Sequence, residues 1–433
     1  MGGRERLSFF AHALWVFIAL RLADAVNIVS GLWFVPKYVS ADDIGAVLPL
    51  SSFATFLSLP LFAFAMTAMK EAVHLSALGE KARLKSLLLG VFVAAGITIV
   101  LGLGIAGVIM PVFMKRIGVC SNSVGFMVVG AAFLGCVAPV YTDALQATRR
   151  FKALGVIEVV SSVARFLIML ILMPFRALFG YFSAQAMQPL MRILISVFSL
   201  RKELSVKSEN YWTKVTSIRF LKSFLLILVY QAVPMAVSLL EQYVIRTSMS
   251  IQDSAGYYLA SRFSDFLFYL TFPLLIVSFP YTAVARDSSL RMKYVLFCSV
   301  ITLFVAFLAA IVYASWGSEL LSILPNGVKY LEYSFLMPHL VIITAFTSVQ
   351  VFVTNAEVSA GRFNFFKWFI PIHVVYIIVF IVFKYLGAIK NLNDILIWLW
   401  VIAIARAVFS LAIIIFLKFK WSETSDRPDA GLI

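Results

Sequence analysis

Twelve apolar stretches of roughly 20 to 28 residues follow one another along the chain, each long enough to cross a bilayer as a helix. They fall at about 8–34, 44–69, 86–110, 122–145, 153–174 and 178–200, then at about 218–245, 255–282, 294–316, 334–358, 365–386 and 394–417. Lipid offers no partner to a backbone N–H or C=O, so each stretch must satisfy its own polar groups, which a helix does. Composition agrees: 62% of the residues are hydrophobic, only 13% are charged and the mean hydropathy is +0.97. Soluble chains are about 45–50% apolar and about 25% charged, which excludes that class. The expected fold is an all-α integral membrane protein of twelve helices. Residues 1–205 would form one six-helix bundle, 206–217 a linker, 218–417 a second bundle and 418–433 a tail. Arg4 and Arg6 precede an apolar segment far longer than a signal-peptide core, so the first helix reads as retained.

The net charge of +15 sits mostly in the short intervals between stretches. Twenty-three Lys and Arg fall on one set of alternate ends and eight on the other. The positive-inside rule then places both termini in the cytoplasm. The longest polar interval, Arg201 to Arg219, carries Tyr211 and Trp212 and is expected on the anionic cytoplasmic leaflet, not on nucleic acid.

The two halves carry matching landmarks. Asp42-x-x-Gly45 recurs as Asp253-x-x-Gly256, Pro60 as Pro273, Arg150-Phe151 as Arg362-Phe363, and Arg192 as Arg406, at offsets of 211 to 214 residues. Near-constant spacing points to a six-plus-six duplication whose halves share one orientation. Asp42 and Asp253 read as helix N-caps before a glycine, rather than as metal or catalytic acids. Pro49, Pro60, Pro273 and Pro280 predict bends in the second and eighth helices.

Charges inside the stretches are the candidates for function, because each costs about 2.5–3.5 kcal/mol at a helix centre unless paired or hydrated. They are Arg21, Asp24, Glu158, Arg165, Arg192, Glu241, Arg262, Asp265 and Arg406. Arg21 with Asp24 and Arg262 with Asp265 are spaced i,i+3, and Glu158 with Arg165 i,i+7, so each pair shares a helix face. One reading is a hydrated cavity in which Arg21, Arg165, Arg192, Arg262 and Arg406 bind an anionic head group, with Asp24, Glu158, Glu241 and Asp265 as counter-charges or ion-coupling groups. The other is a set of permanent ion pairs that fix helix register. Three scattered cysteines and four histidines, His12, His74, His339 and His373, give no metal or disulfide spacing. No cofactor or metal is expected, and the histidines read as packing or interfacial residues. A membrane enzyme would need a sizeable loop with placed acid, base or metal ligands, and the interval from Gly317 to Tyr333 has Glu319 and Glu332 but no histidine.

Two segments carry a family resemblance. Pro36-Lys37-Tyr38-Val39 and Ala41-Asp42-Asp43-Ile44-Gly45 resemble the R-Y-L-G-P-x-x-Y-G segment of the polysaccharide-biosynthesis flippases, the oligosaccharide-lipid exporters related to multidrug and toxin extrusion proteins. Ala144-Leu145-Gln146 through Arg150-Phe151-Lys152, followed by Glu158 and Arg165, is similar to that family's turn between helices 4 and 5. The resemblance implies a V-shaped pair of bundles in the bacterial inner membrane. It further implies alternating-access movement of a polyprenyl-pyrophosphate-linked oligosaccharide to the outer leaflet for O-antigen, capsule or exopolysaccharide synthesis. Expected partners are that lipid-linked substrate, membrane lipids, and the glycan polymerase and other assembly proteins. The alternatives are a cation-coupled multidrug exporter of the same superfamily and, further off, a glycan polymerase or glycosyltransferase.

Overall fold

The structure, a computed structural model, describes residues 3–77, 79–119, 121–147, 150–201, 218–284, 288–359 and 363–424. The expected linker 206–217, Tyr211 and Trp212 with it, lies outside the described residues, as do Arg362 and the tail from 425 onward. Every regular element among the described residues is helical. The long helices are α1 (Gly3–Val29), α2 (Ala41–Leu57), α3 (Leu59–Ala77), α4 (Lys81–Arg116), α5 (Asn122–Ala147), α6 (Phe151–Leu172) and α7 (Ala177–Ser199). They continue as α8 (Ile218–Ser248), α9 (Ile251–Val284), α10 (Ser288–Ser322), α11 (Leu336–Ser359), α12 (Phe366–Tyr385) and α13 (Leu392–Thr424). Among the described residues nine helices are long and apolar enough to cross a membrane, and the bent pair α2–α3 brings the number to ten. The protein is an all-α membrane protein.

Prolines shape two of the breaks. Pro60 has no N–H to give the carbonyl of Phe56, and the expected second helix divides there into α2 and α3, bent by 57°. Ser58, at the corner, is buried; its hydroxyl donates to Thr55 O at 2.9 Å and accepts from the Cys136 thiol on α5. The counterpart bend expected at Pro273 is not accompanied by a break, since α9 runs from Ile251 to Val284 as one element. Beyond α1, Ser30 bonds back to Val26 O at 2.7 Å and Ser30–Phe34 widens into a π turn. That shift admits Pro36 to the first turn of the short helix Val35–Tyr38, where a missing N–H costs nothing.

The chain gathers into two compact units, Met1–Thr247 and Ser248–Ile433. In the first, α7 packs on α5 and α6, and α1 packs on α6. The body of α8 belongs here too, held by Phe220 against Phe64 and by Tyr243 against Phe113. In the second unit α11 is central, packed on α9, α10 and α13, while α12 lies on α13. The outer faces remain apolar: Val100, Val108 and Val112 of α4 and Phe297, Val300 and Phe304 of α10 are exposed, as side chains against lipid must be.

The matching motifs at the starts of α2 and α9 are serine-capped, and at α9 Ser250 N also donates to Asp253 Oδ2 at 3.2 Å to complete a capping box; the two motifs correspond in a register one residue from the expected one. Ser40 and Ser250 are the N-caps, not Asp42 and Asp253. Ser40 Oγ accepts from Asp43 N at 3.2 Å, and Ser250 Oγ accepts from Asp253 N at 3.0 Å. Asp43, three residues past its cap, is therefore the positional counterpart of Asp253. Asp253 also accepts from Tyr333 Oη at 3.0 Å, and the Tyr333 ring lies where a Cβ on Gly256 would stand. The Asp-x-x-Gly spacing in the second unit thus seats a tyrosine from the 3₁₀ segment Gly327–Phe335.

Candidate functional site

In the first unit, α1, α6 and α7 bring a polar set together inside the helix layer. Arg21, Asp24 and Asn27 recur about every turn of α1; Glu158, Ser162 and Arg165 do so on α6; Gln188 and Arg192 are one turn apart on α7. Arg21 Nη2 pairs with Asp24 Oδ2 at 2.9 Å, as the i,i+3 spacing predicts. Glu158 and Arg165 share their helix but not a bond. Arg192 Nη2 reaches Glu158 Oε2 at 2.5 Å from the neighbouring helix, so the carboxylate expected for Arg165 is taken across α6 and α7.

Arg165 is held by neutral groups. Its Nη1 donates to Asn27 Oδ1 at 2.9 Å and to Gln188 Oε1 at 3.3 Å, and Gln188 Nε2 donates to Ser162 Oγ at 3.1 Å. Arg165 is 8% exposed, its Nε has no hydrogen-bond partner, and among the described residues no carboxylate lies within ion-pairing distance of it. A buried guanidinium retains most of its demand for negative charge when only amide dipoles face it. This set can receive an anion without first breaking an ion pair.

The second unit holds Arg406 differently. Its Nη1 donates to Thr347 Oγ1 at 3.0 Å, and its Nε faces His373 Nε2 at 3.5 Å. His373, 1% exposed, has Nδ1 at 2.8 Å from Phe369 O; a carbonyl only accepts, so Nδ1 carries the proton and Nε2 presents its lone pair to the arginine. Of Arg192 and Arg406, matched by spacing, the first rests on a carboxylate, and the second has an imidazole and a hydroxyl among its partners. Arg262 Nη1 pairs with Asp265 Oδ2 at 2.9 Å and its guanidinium lies over the Tyr258 ring at 5.1 Å. Glu241 is buried on α8.

The arginines are marked in the sequence, whereas Asn27, Gln188, Ser162 and Thr347 are not, and His373, expected as a packing or interfacial residue, also faces Arg406. Neutral amides and hydroxyls carry no obvious intramembrane cost, so nothing marks them singly. Their spacing was the available signal: Asn27 stands three residues from Asp24, and Gln188 four from Arg192.

No family profile matches the chain, and no curated protein does. Solved structures do. The Vibrio cholerae MATE transporter VcmN in its bent form matches 96% of this chain and 98% of its own, with a TM-score of 0.64 at 14% identity. The fold is that of the MATE transporters. The eukaryotic MATE transporter AtDTX14 matches 96% of each chain with a TM-score of 0.65 at 12% identity. A MOP superfamily transporter from Pyrococcus furiosus, whose binding pocket has a reverse polarity that suggests a different function, matches 96% of each chain at 0.60 and 12%. Within this MATE fold the helices α1, α6 and α7 are the scaffold that assembles the Arg165 set.

Proposed function

We propose that this protein is an alternating-access transporter that moves a polyprenyl-pyrophosphate-linked oligosaccharide from the cytoplasmic to the outer leaflet of the inner membrane. The observation that carries this reading is Arg165, a buried guanidinium held by Asn27 and Gln188 in place of a carboxylate. Pyrophosphate supplies the charge and the acceptor oxygens such a group demands. The MATE fold supports a transporter, and MATE family transporters of the MOP superfamily are known in an inward-facing and in an outward-facing conformation. The Pyrococcus furiosus protein, whose reverse-polarity pocket suggests a different function, supports more than one function within this fold.

The second reading, a cation-coupled multidrug exporter, is favoured by the multidrug resistance proteins that share the fold and by Asp24 and Glu158 beside the arginines. Deleting the gene in its host separates the two. Accumulation of polyprenyl-pyrophosphate-linked sugars by mass spectrometry, with surface glycan lost and drug tolerance unchanged, supports the flippase. Unaltered lipid-linked sugars with new sensitivity to cationic drugs overturn it. Arg165→Ala, still inserted in the membrane, should reproduce the deletion.

A further inference from the structure

The groups that hold Arg165 are carboxamides, and a carboxamide differs from a carboxylate by one charge in nearly the same volume. Gln188 is buried on α7 and its orientation is fixed: Nε2 must donate, and it does so to Ser162 Oγ at 3.1 Å, leaving Oε1 to face Arg165 at 3.3 Å. Asn27, half-buried on α1, turns Oδ1 to the same Nη1 at 2.9 Å. Two helices thus converge on one guanidinium nitrogen with acceptors that bring no counter-charge.

The surrounding charges are already matched, Arg21 with Asp24 and Arg192 with Glu158. Across these five ionisable side chains three positive charges face two negative ones, and the excess resides on Arg165. A single aspartate at 27 or glutamate at 188 would cancel that excess at hydrogen-bond distance, where opposite charges in a partly dehydrated site attract strongly.

We propose that Asn27 and Gln188 are the specificity-determining residues of this site: by aiming Arg165 without neutralising it, they make the first unit select a phosphate-bearing anion over a lipophilic cation. The inference rests on the transport reading above and deepens it. It requires that cargo polarity be set by the amide holders, so that the carboxylate isosteres keep the geometry and lose the selectivity.

The test is equilibrium binding to the purified full chain in detergent, with geranyl pyrophosphate as the anionic probe and tetraphenylphosphonium as the cationic one. Asn27→Asp and Gln188→Glu should each weaken geranyl pyrophosphate at least tenfold and leave the melting temperature within a few degrees, because an ion pair replaces a hydrogen bond. The double variant should bind tetraphenylphosphonium more tightly than the wild type does. Asn27→Leu, which removes the acceptor without adding charge, should weaken the anionic probe less than Asn27→Asp does; a merely structural role predicts the reverse order. If the wild type ignores geranyl pyrophosphate, the transport reading itself fails. Should the wild type bind it and both carboxylate variants bind it equally well, the assignment of Asn27 and Gln188 is overturned while that reading stands. Either single variant suffices if the other does not fold.

Discussion

Arg246, in the last turn of α8, reaches back to Asp42 in the first turn of α2, with Nη2 to Oδ1 at 2.6 Å, while its Nε donates to Ile117 O at 2.9 Å beyond the end of α4. Its side chain is 5% exposed, whereas that of Asp42 is 55% exposed. One arginine therefore ties three helix ends of the first unit, and the two bonds differ in their setting: the carbonyl contact is buried and the ion pair faces outward. Gly118 follows with φ of +81°, and a Cβ there would stand 3.3 Å from Arg246 Nη2, so the turn closes around Arg246.

Arg246→Ala should consequently destabilise the protein by about 1–3 kcal/mol, because the Ile117 carbonyl loses its partner in a dry place. Asp42→Asn should cost less than half of that, since water can serve the exposed end. Thermal unfolding followed by size-exclusion of the detergent-solubilised protein reads the order of the two. Equal effects would mean that the ion pair, not the carbonyl bond, carries the clamp.

Glu158 and Arg192 are predicted to be coupled. Glu158→Gln or Arg192→Gln alone leaves one charge in the helix layer without its partner, so each should lower stability by about 1–3 kcal/mol. The double variant should be closer to wild type than the sum of the two predicts. A double-mutant cycle on the melting temperature measures the coupling; strict additivity would show that the pair does not act as one.

His373 presents an unprotonated Nε2 to Arg406. His373→Gln keeps an acceptor at that distance along the side chain and should retain most of the stability. His373→Leu removes that acceptor and should lose about 1–3 kcal/mol. Comparing the melting temperatures of the two variants decides it, and equal losses would assign His373 to packing against Phe369 alone.

Gly256 leaves the space that the Tyr333 ring fills. Gly256→Ala should therefore destabilise the protein despite the higher helix propensity of alanine, by pushing the ring off Asp253. Tyr333→Ala removes the obstacle, so the double variant should show no further loss over Tyr333→Ala. If Gly256→Ala is instead neutral or stabilising, the ring has room that this packing denies it.

What the amino-acid sequence determined by itself is the solvent and the secondary structure. Hydrocarbon admits only segments that satisfy their own backbone, so the apolar stretches are helical among the described residues, nine of the helices, or ten with the bent pair, being long and apolar enough to cross a membrane where twelve were expected, and Pro60 divided one stretch because it lacks a donor. The short-range pairs were equally legible, since i,i+3 spacing on a helix fixes the distance between Arg21 and Asp24 and between Arg262 and Asp265 whatever the rest of the chain does. Partners across helices were not. Glu158 chose Arg192 over Arg165, Arg165 took Asn27 from 138 residues away, and Arg246 took Asp42 from 204. Those choices depend on which faces of α1, α6 and α7 meet and at what depth, and that is settled by the packing of apolar surfaces that look alike in sequence. The charge of each side chain was written in the chain; whether that charge is matched or left over was decided only when the helices came together.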